Sequence, residues 1–251
     1  MAGEKVDLLG VQVDSLTRVE ILKRIADAVR LDERLLVAHA NLRGLNLAYE
    51  QPWLRGFYQR AQIVYCDGMG VMLGARLTRQ RIRERFTLAD WVWQLAALAV
   101  DLQARLFLLG NPPGVAQAAA HNLLKVYPEI QIAGVQHGFF TMQADGPENL
   151  AVISRINELK PHILLVGFGM PLQERWLDEN WERLNVNVAI TCGALFEYLA
   201  GDLKRGPQWM NDHYLEWLAR LIISPGRYAA RYLYDIPVFF YRTMRQGFHA
   251  K

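Results

Sequence analysis

The sequence predicts an α/β fold: a largely parallel sheet with helices on both faces, followed by a helical appendage from about residue 201. Three observations carry this. Short β-branched apolar runs alternate with longer stretches whose apolar residues recur at helical spacing, which is the pattern of strands joined through crossover helices. Several of the short runs are apolar but for one histidine, as "LLVAHA" and "HILLVGFG" are, and a strand buried on both faces reads that way. Strand-like runs stop near residue 200.

Taken in order, "VDLLGVQV" reads as a strand and "TRVEILKRIADAVR" as a helix, with Thr17 and Glu20 spaced for a capping box and Val19, Leu22, Ile25 and Val29 on one face. "LLVAHA" is the next strand. Two short helices follow, Asn41 to Glu50 and Pro52 to Arg60, the second opened by its proline. "QIVYC" is a strand, closed by the turn at Asp67 and succeeded by helices to about Asp101. "RLFLLG" and the turn "NPPG" lead into a helix from Val115 to Val126. "IQIAGV", "HILLVGFG" and "VNVAIT" are strands, separated by the helices "GPENLAVISRINELK" and "PLQERWLDENWERL". Beyond 201 the sequence predicts helical segments punctuated by Pro207, Pro225 and Pro237. The domain reading is 1–200 for a Rossmann-like α/β unit and 201–251 for the appendage.

Composition narrows the function. At 251 residues, 52% hydrophobic and 21% charged, the chain can bury a large core. Two cysteines, Cys66 and Cys192, are too few for a disulfide scaffold and sit in no zinc-like spacing. The start, "MAGEKVDLLGVQVDS", is too polar for a secretory signal, and no apolar run approaches the roughly 20 residues that span a bilayer. A reducing cytoplasm is expected.

Charge is uneven. Residues 201–251 carry eight Lys or Arg against four acids, net +4, while the first 200 residues have 20 against 21, net −1. The same 51 residues hold ten of the 27 aromatic side chains. Basic and aromatic residues together suit a membrane interface. They also suit nucleic acid, or an ordinary helical subdomain with aromatics inside and arginines outside.

Polar residues at strand ends are the candidate chemistry, because open α/β sheets bind ligands beyond the carboxyl ends of their strands. Asp67 closes one strand, as a catalytic acid or base or as a helix cap. Asn41 closes another. "GFGMPLQERW" closes a third, where Gly167 and Gly169 permit close approach and a helix N-terminus opens toward an anion. Neither glycine segment completes G-x-G-x-x-G, since Leu73 and Leu172 stand at the third glycine positions. There is no P-loop, no G-x-S-x-G elbow and no D-x-D pair. Dehydrogenase, P-loop phosphotransferase and common hydrolase chemistry are thereby disfavoured.

Seven segments in one order, from about Leu8 to Tyr234, resemble the WecG/TagA/CpsF bacterial glycosyltransferases, glycosyltransferase family 26. They are "VAHAN", "IVYCDGMGV", "RERFTLAD", "FLLGNPPG", "LLVGFGMPLQERW", "CGALFEYLAGDLKRGPQW" and "LEWLARLIISPGRYAARY". The resemblance implies an inverting glycosyltransferase without metal or other cofactor. Its donor is a UDP-sugar of N-acetylmannosamine type or another hexose, and its acceptor a polyprenyl-diphosphate-linked sugar. It implies work on lipid-linked glycans for polysaccharide or cell-wall polymer, peripheral on the cytoplasmic face of the bacterial inner membrane, with the appendage on the membrane and no nucleic acid partner. Self-association is left open, and a homo-oligomer is compatible.

By the same resemblance Asp67 is the general base. Asn41, Gln173 and the adjoining Gly169 and Glu174 belong to the sugar-donor segments, and Arg85 to a sugar or diphosphate contact. Arg205, Arg220, Arg227 and Arg231 are diphosphate contacts on the appendage. Three positions depart from the family pattern. His39 stands where a threonine is common, which makes His39 a candidate donor-sugar contact. Leu88 replaces a glycine, and Ala230 an arginine. The alternative from another class is a non-catalytic scaffold that binds nucleotide sugars or membrane within a glycan-assembly complex.

Overall fold

The computed structural model describes residues 4–203, 210, 216–223 and 225–249. Its centre is one eight-stranded sheet: β1 Lys5–Leu8, β2 Val11–Asp14, β3 Leu35–Ala40, β4 Ile63–Cys66, β5 Arg105–Gly110, β6 Gln131–Gln136, β7 Ile163–Gly167 and β8 Val188–Thr191. The spatial order is β1-β2-β4-β3-β8-β7-β5-β6. Only β1 and β2 run antiparallel; every other neighbouring pair is parallel. The helices are α1 Arg18–Arg30, α2 Leu42–Glu50, α3 Pro52–Arg60, α4 Met69–Leu77, α5 Leu88–Asp101, α6 Val115–Val126, α7 Pro147–Leu159, α8 Leu172–Asn180, α9 Leu195–Ala200, α10 Glu216–Ile223 and α11 Pro225–His249. The fold is α/β, with a helical C-terminal segment.

Side-chain alternation divides the core into two layers. On β3, Leu36, Ala38 and Ala40 join one buried cluster and Leu35 and Val37 the other; on β7, Leu164 and Val166 oppose Ile163 and Leu165. Residues from α2, α3, α4, α7, α8 and α11 cover the first face, and α1, α5, α6 and α9 the second. Both faces are dry, which is why these strands carry no polar alternation.

Two sequence expectations are corrected. "VDLLGVQV" is a hairpin of two strands, not one. Leu9 and Gly10 have φ of 57° and 83°, a tight turn of two left-handed residues, and the Gly10 amide donates to Asp7 Oδ1 at 3.2 Å. An apolar residue at the first turn position hid the break. Pro237 punctuates nothing: α11 runs through it from Pro225 to His249. Asp235, Phe239 and Thr243, one turn apart, are all buried against the body of the protein and outweigh the proline's lost hydrogen bond of about 3 kcal/mol. Pro207 lies outside the described residues.

The closing helix is tied to the sheet unit along its length. Asn46 Nδ2 donates to the Asp235 carbonyl at 2.9 Å, Arg242 reaches Glu50 Oε1 at 2.6 Å, and Gln246 Nε2 donates to Asp7 Oδ1 at 2.7 Å while its Oε1 accepts from the Leu9 amide at 3.0 Å. Phe239 lies over Gly74 of α4, where an added Cβ would fall 2.5 Å from the ring. Glycine there is a packing requirement. Full burial of such a ring contributes about 1.5–3 kcal/mol.

Candidate functional site

Two clefts open at the carboxyl ends of the strands, where the sequence placed its polar residues. The first, of about 320 Å³, lies beyond β3 and β4 and is roofed by the C-terminal helices. Asn41, Asp67 and Arg85 line its polar side; Leu73, Ile236 and Phe240 are part of its apolar side. The second, of about 860 Å³, lies beyond β5, β7 and β8 and includes Asn111, Phe139, Gly167, Gly169, Gly193 and Glu197.

Sheet topology explains the second cleft. β5 leaves through α6 toward β6 at the sheet edge, whereas β7 leaves through α8 toward β8 on the other side, and the two helices cover opposite faces. Adjacent strands whose connections diverge leave a crevice between them, the usual ligand position in such sheets. Asn111 secures its rim: its amide donates to Gly167 O at 3.0 Å, its carbonyl accepts from Gly138 N at 2.8 Å, and its Nδ2 donates to Glu197 Oε1 at 3.2 Å. Asn111 Oδ1 is buried without a hydrogen-bond partner.

Asp67 follows β4 directly. Its amide donates to the Ala40 carbonyl at 2.8 Å, which fixes the backbone beside β3 and leaves the carboxylate partly exposed at 19% in the first cleft. Gly68, not Asp67, occupies the N-cap position of α4. Gly68 and Gly169 have φ of +104° and +78° with nothing within 4 Å of an added Cβ, so each combines a backbone that disfavours side chains with open space.

Asn41 is the N-cap of α2. Its Oδ1 accepts from the Gly44 amide at 2.9 Å, so a cap and a cleft wall are the same residue. Its amide nitrogen remains as a donor. Arg85 lines the same cleft. Gln173 and Glu174 are fully buried on α8: Gln173 Nε2 donates to Glu174 Oε1 at 2.7 Å, and Gln173 Oε1 accepts from the Gly193 amide at 3.0 Å. They therefore underlie the second cleft and hold its Gly193 wall. Burial pushes the Glu174 carboxyl above its ordinary range, and Glu174 Oε2 has no hydrogen-bond partner.

His39, at 7% exposure, lies between the clefts on β3. Its Nδ1 is 2.9 Å from Thr191 Oγ1 and 3.1 Å from Thr191 O, and its Nε2 is 4.0 Å from Asp67 Oδ2. Burial raises the thiols of Cys66 and Cys192 well above the ordinary range, so both stay protonated. Leu88 begins α5 as a buried core residue. The appendage arginines fall differently: Arg205 lies outside the described residues, while Arg220 is on α10 and Arg227 and Arg231 on α11, with their side chains, and that of Ala230, outside the description.

Sequence reasoning missed two residues of the first cleft. Arg43 lines it and faces Asp235, Nη1 to Oδ2 at 3.5 Å. Arg43 follows a strand end by three residues, so the logic that found Asn41 extends to it. Asp235 is the one acid after residue 216 in a basic, aromatic segment, a contrast visible in the sequence.

Fold and clefts together define an α/β protein with ligand-sized clefts beyond the carboxyl ends of a mostly parallel sheet. Comparison with known proteins narrows this further, because the profile of the family described as glycosyl transferase WecG/TagA/CpsF matches residues 6–251. The chain belongs to that glycosyltransferase family. Among its relatives is the N-acetylglucosaminyldiphosphoundecaprenol N-acetyl-β-D-mannosaminyltransferase of Staphylococcus aureus. The proteins of strains NCTC 8325 / PS 47, COL and MW2 are each 28% identical over 243 residues, 96% of this chain and 92% of theirs.

Proposed function

We propose that this protein transfers a sugar from a UDP-sugar to a polyprenyl-diphosphate-linked sugar at the cytoplasmic face of the bacterial inner membrane, with inversion and without metal. The Staphylococcus relatives are named for an N-acetylglucosaminyl-diphosphoundecaprenol acceptor and an N-acetylmannosaminyl product, which supports both substrate classes. The observation that carries the reading is the Asp67 carboxylate, open to a cleft with cationic and apolar walls and adjacent through His39 and Thr191 to a second, larger cleft.

In this reading the second cleft takes the donor. Phe139 offers a ring for the base, Asn111 and Glu197 offer polar groups, and Gly167, Gly169 and Gly193 let the diphosphate approach the backbone. The first cleft takes the acceptor, its diphosphate on the guanidinium groups of Arg43 and Arg85 and its first isoprene units against Leu73, Ile236 and Phe240. Arg205, Arg220, Arg227 and Arg231 add cations from the appendage.

The acceptor hydroxyl loses its proton to Asp67 as its oxygen bonds to the anomeric carbon. The bond from that carbon to the phosphate oxygen breaks, and its electron pair leaves with UDP. A single displacement inverts the carbon. In this reading guanidinium groups and backbone amides balance the departing charge.

Residues 201–251 serve as the membrane-facing appendage. Leu233, Tyr241, Met244 and Phe248 recur along one exposed face of α11, opposite buried Asp235, Phe239 and Thr243. Among the described residues no helix is long and apolar enough to cross a membrane, and a helix with one such face lies in the interface instead. The test is UDP release from a panel of UDP-sugars with a lipid-diphosphate N-acetylglucosamine acceptor, for wild type and Asp67→Asn. Turnover that the folded variant lacks supports catalysis. No turnover across donors and acceptors favours the scaffold reading.

A further inference from the structure

His39 has two ring nitrogens with different neighbours. Nδ1 faces the Thr191 carbonyl at 3.1 Å as well as the Thr191 hydroxyl at 2.9 Å. A carbonyl only accepts, so Nδ1 is assigned the proton, and the neutral ring turns the Nε2 lone pair toward Asp67 Oδ2, 4.0 Å away. Two acceptors aimed at each other are stable with one proton between them. The ring is buried behind the cleft walls, so its route to the reaction runs through Asp67.

We propose that His39 is the proton-holding partner of Asp67, a positioning residue that receives from the carboxyl group the proton taken from the acceptor. This rests on Asp67 being the base. The acceptor O–H bond breaks and its proton moves to Asp67 Oδ2 while the new C–O bond forms and UDP departs with the electron pair of the broken bond. The proton then passes from Oδ2 to Nε2, leaving an imidazolium beside a restored carboxylate, and after product leaves it returns through Asp67 Oδ2 to water in the open cleft before the next turnover. The 4.0 Å separation closes to hydrogen-bond length by a small turn of the Asp67 side chain, as catalytic contacts tighten once substrate is bound.

The surroundings leave these two groups to exchange the proton. Glu174 of α8 faces the ring, and burial drives its carboxyl toward the neutral form. Tyr65 on β4 has its ring centroid 6.2 Å from that of His39, and Tyr58 on α3 donates its O–H to the His39 carbonyl at 3.2 Å. Burial pushes both phenols, and the Cys192 thiol after β8, far above their usual ranges. Arg85 lines the cleft on the Asp67 side. Thr191 fixes the ring from behind: its Oγ1 also accepts from the His39 amide at 3.2 Å.

His39→Asn keeps an amide donor where Nδ1–H lies but has no group at Nε2; His39→Gln places an amide near Nε2 that cannot hold a proton. With UDP-sugar and lipid-diphosphate acceptor, both variants should lose about ten- to a hundredfold in kcat. KM for each substrate should stay within about twofold, and combining either change with Asp67→Asn should cost nothing beyond Asp67→Asn alone. The rising limb of kcat against pH should move to lower pH, because one of two coupled sites has been removed. A wild-type kcat and unmoved limb in a folded His39→Asn or His39→Gln protein overturns the proposal, as does a loss confined to KM, which would make His39 a sugar contact. If one variant fails to fold, the other is read. Turnover surviving in Asp67→Asn defeats the base reading and this one together; a dead Asp67→Asn beside a wild-type-like His39→Asn defeats this one only.

Discussion

The two clefts are made of different material. The first is walled by side chains that converge from distant parts of the chain: Asn41 and Arg43 after β3, Asp67 after β4, Arg85 from a loop, Ile236 and Phe240 from the last helix. The second mixes side chains, Asn111, Phe139, Phe168 and Glu197 among them, with open backbone where β5 and β7 end at Gly110 and Gly167 in register and Gly169 and Gly193 follow. Side chains discriminate through residue identity, whereas open backbone at glycines suits the close approach of a diphosphate. In the proposed reading, that contrast separates donor and acceptor along the carboxyl edge of the sheet.

The largest effect that sharpens it is on Asp67. Asp67→Asn should lower kcat by about 10²–10⁴ with both KM values little changed, read by UDP release at saturating substrates. Next is Gly169→Val. A β-branched residue at φ +78° costs about 1–2 kcal/mol and fills open cleft space, so KM for the UDP-sugar should rise roughly tenfold with the acceptor KM unmoved. Phe240→Ala is the mirror experiment: losing part of an apolar wall should raise the acceptor KM about three- to tenfold and leave the donor alone. If Gly169→Val moved the acceptor KM, or Phe240→Ala the donor KM, the assignment would reverse.

The smallest effect concerns the layer beneath. Glu174 is a buried carboxyl whose folded pKa is raised, so it weakens the fold as pH climbs above its ordinary value of 4.5 and leaves it unaffected well below that. Glu174→Gln should raise the unfolding midpoint by about 2–4 °C near pH 7 and lose that advantage as pH falls below about 4. A gain independent of pH would show that charge at Glu174 is not what strains the site.

Much of this was legible in the residues. Parallel strands announced themselves as apolar runs because both their faces are dry, and Asp67, Asn41 and Gly169 were found by asking which polar or small residues end those runs. The sheet order was not legible, since nothing in "RLFLLG" or "HILLVGFG" says that β5 and β7 are neighbours whose connections part, and the second cleft follows from that fact alone. Gln173 and Glu174 were candidate ligand contacts through the family resemblance of their segment. Their position on α8 turns them inward, onto the Gly193 amide, which spacing from Gly169 does not disclose. The hairpin was missed because apolar Leu9 holds its first turn position, and the unbroken helix at Pro237 because buried Phe239 anchors it in the core against the local propensity.

Gln246 bonds the Leu9 amide across 237 positions of sequence. On a ribosome this makes the order of events one-sided: the sheet and Asp67 emerge first, while the roof of the smaller cleft and the clasp on the first hairpin arrive only with α11. A nascent chain therefore carries an uncovered greasy trough until α11 closes across the whole span.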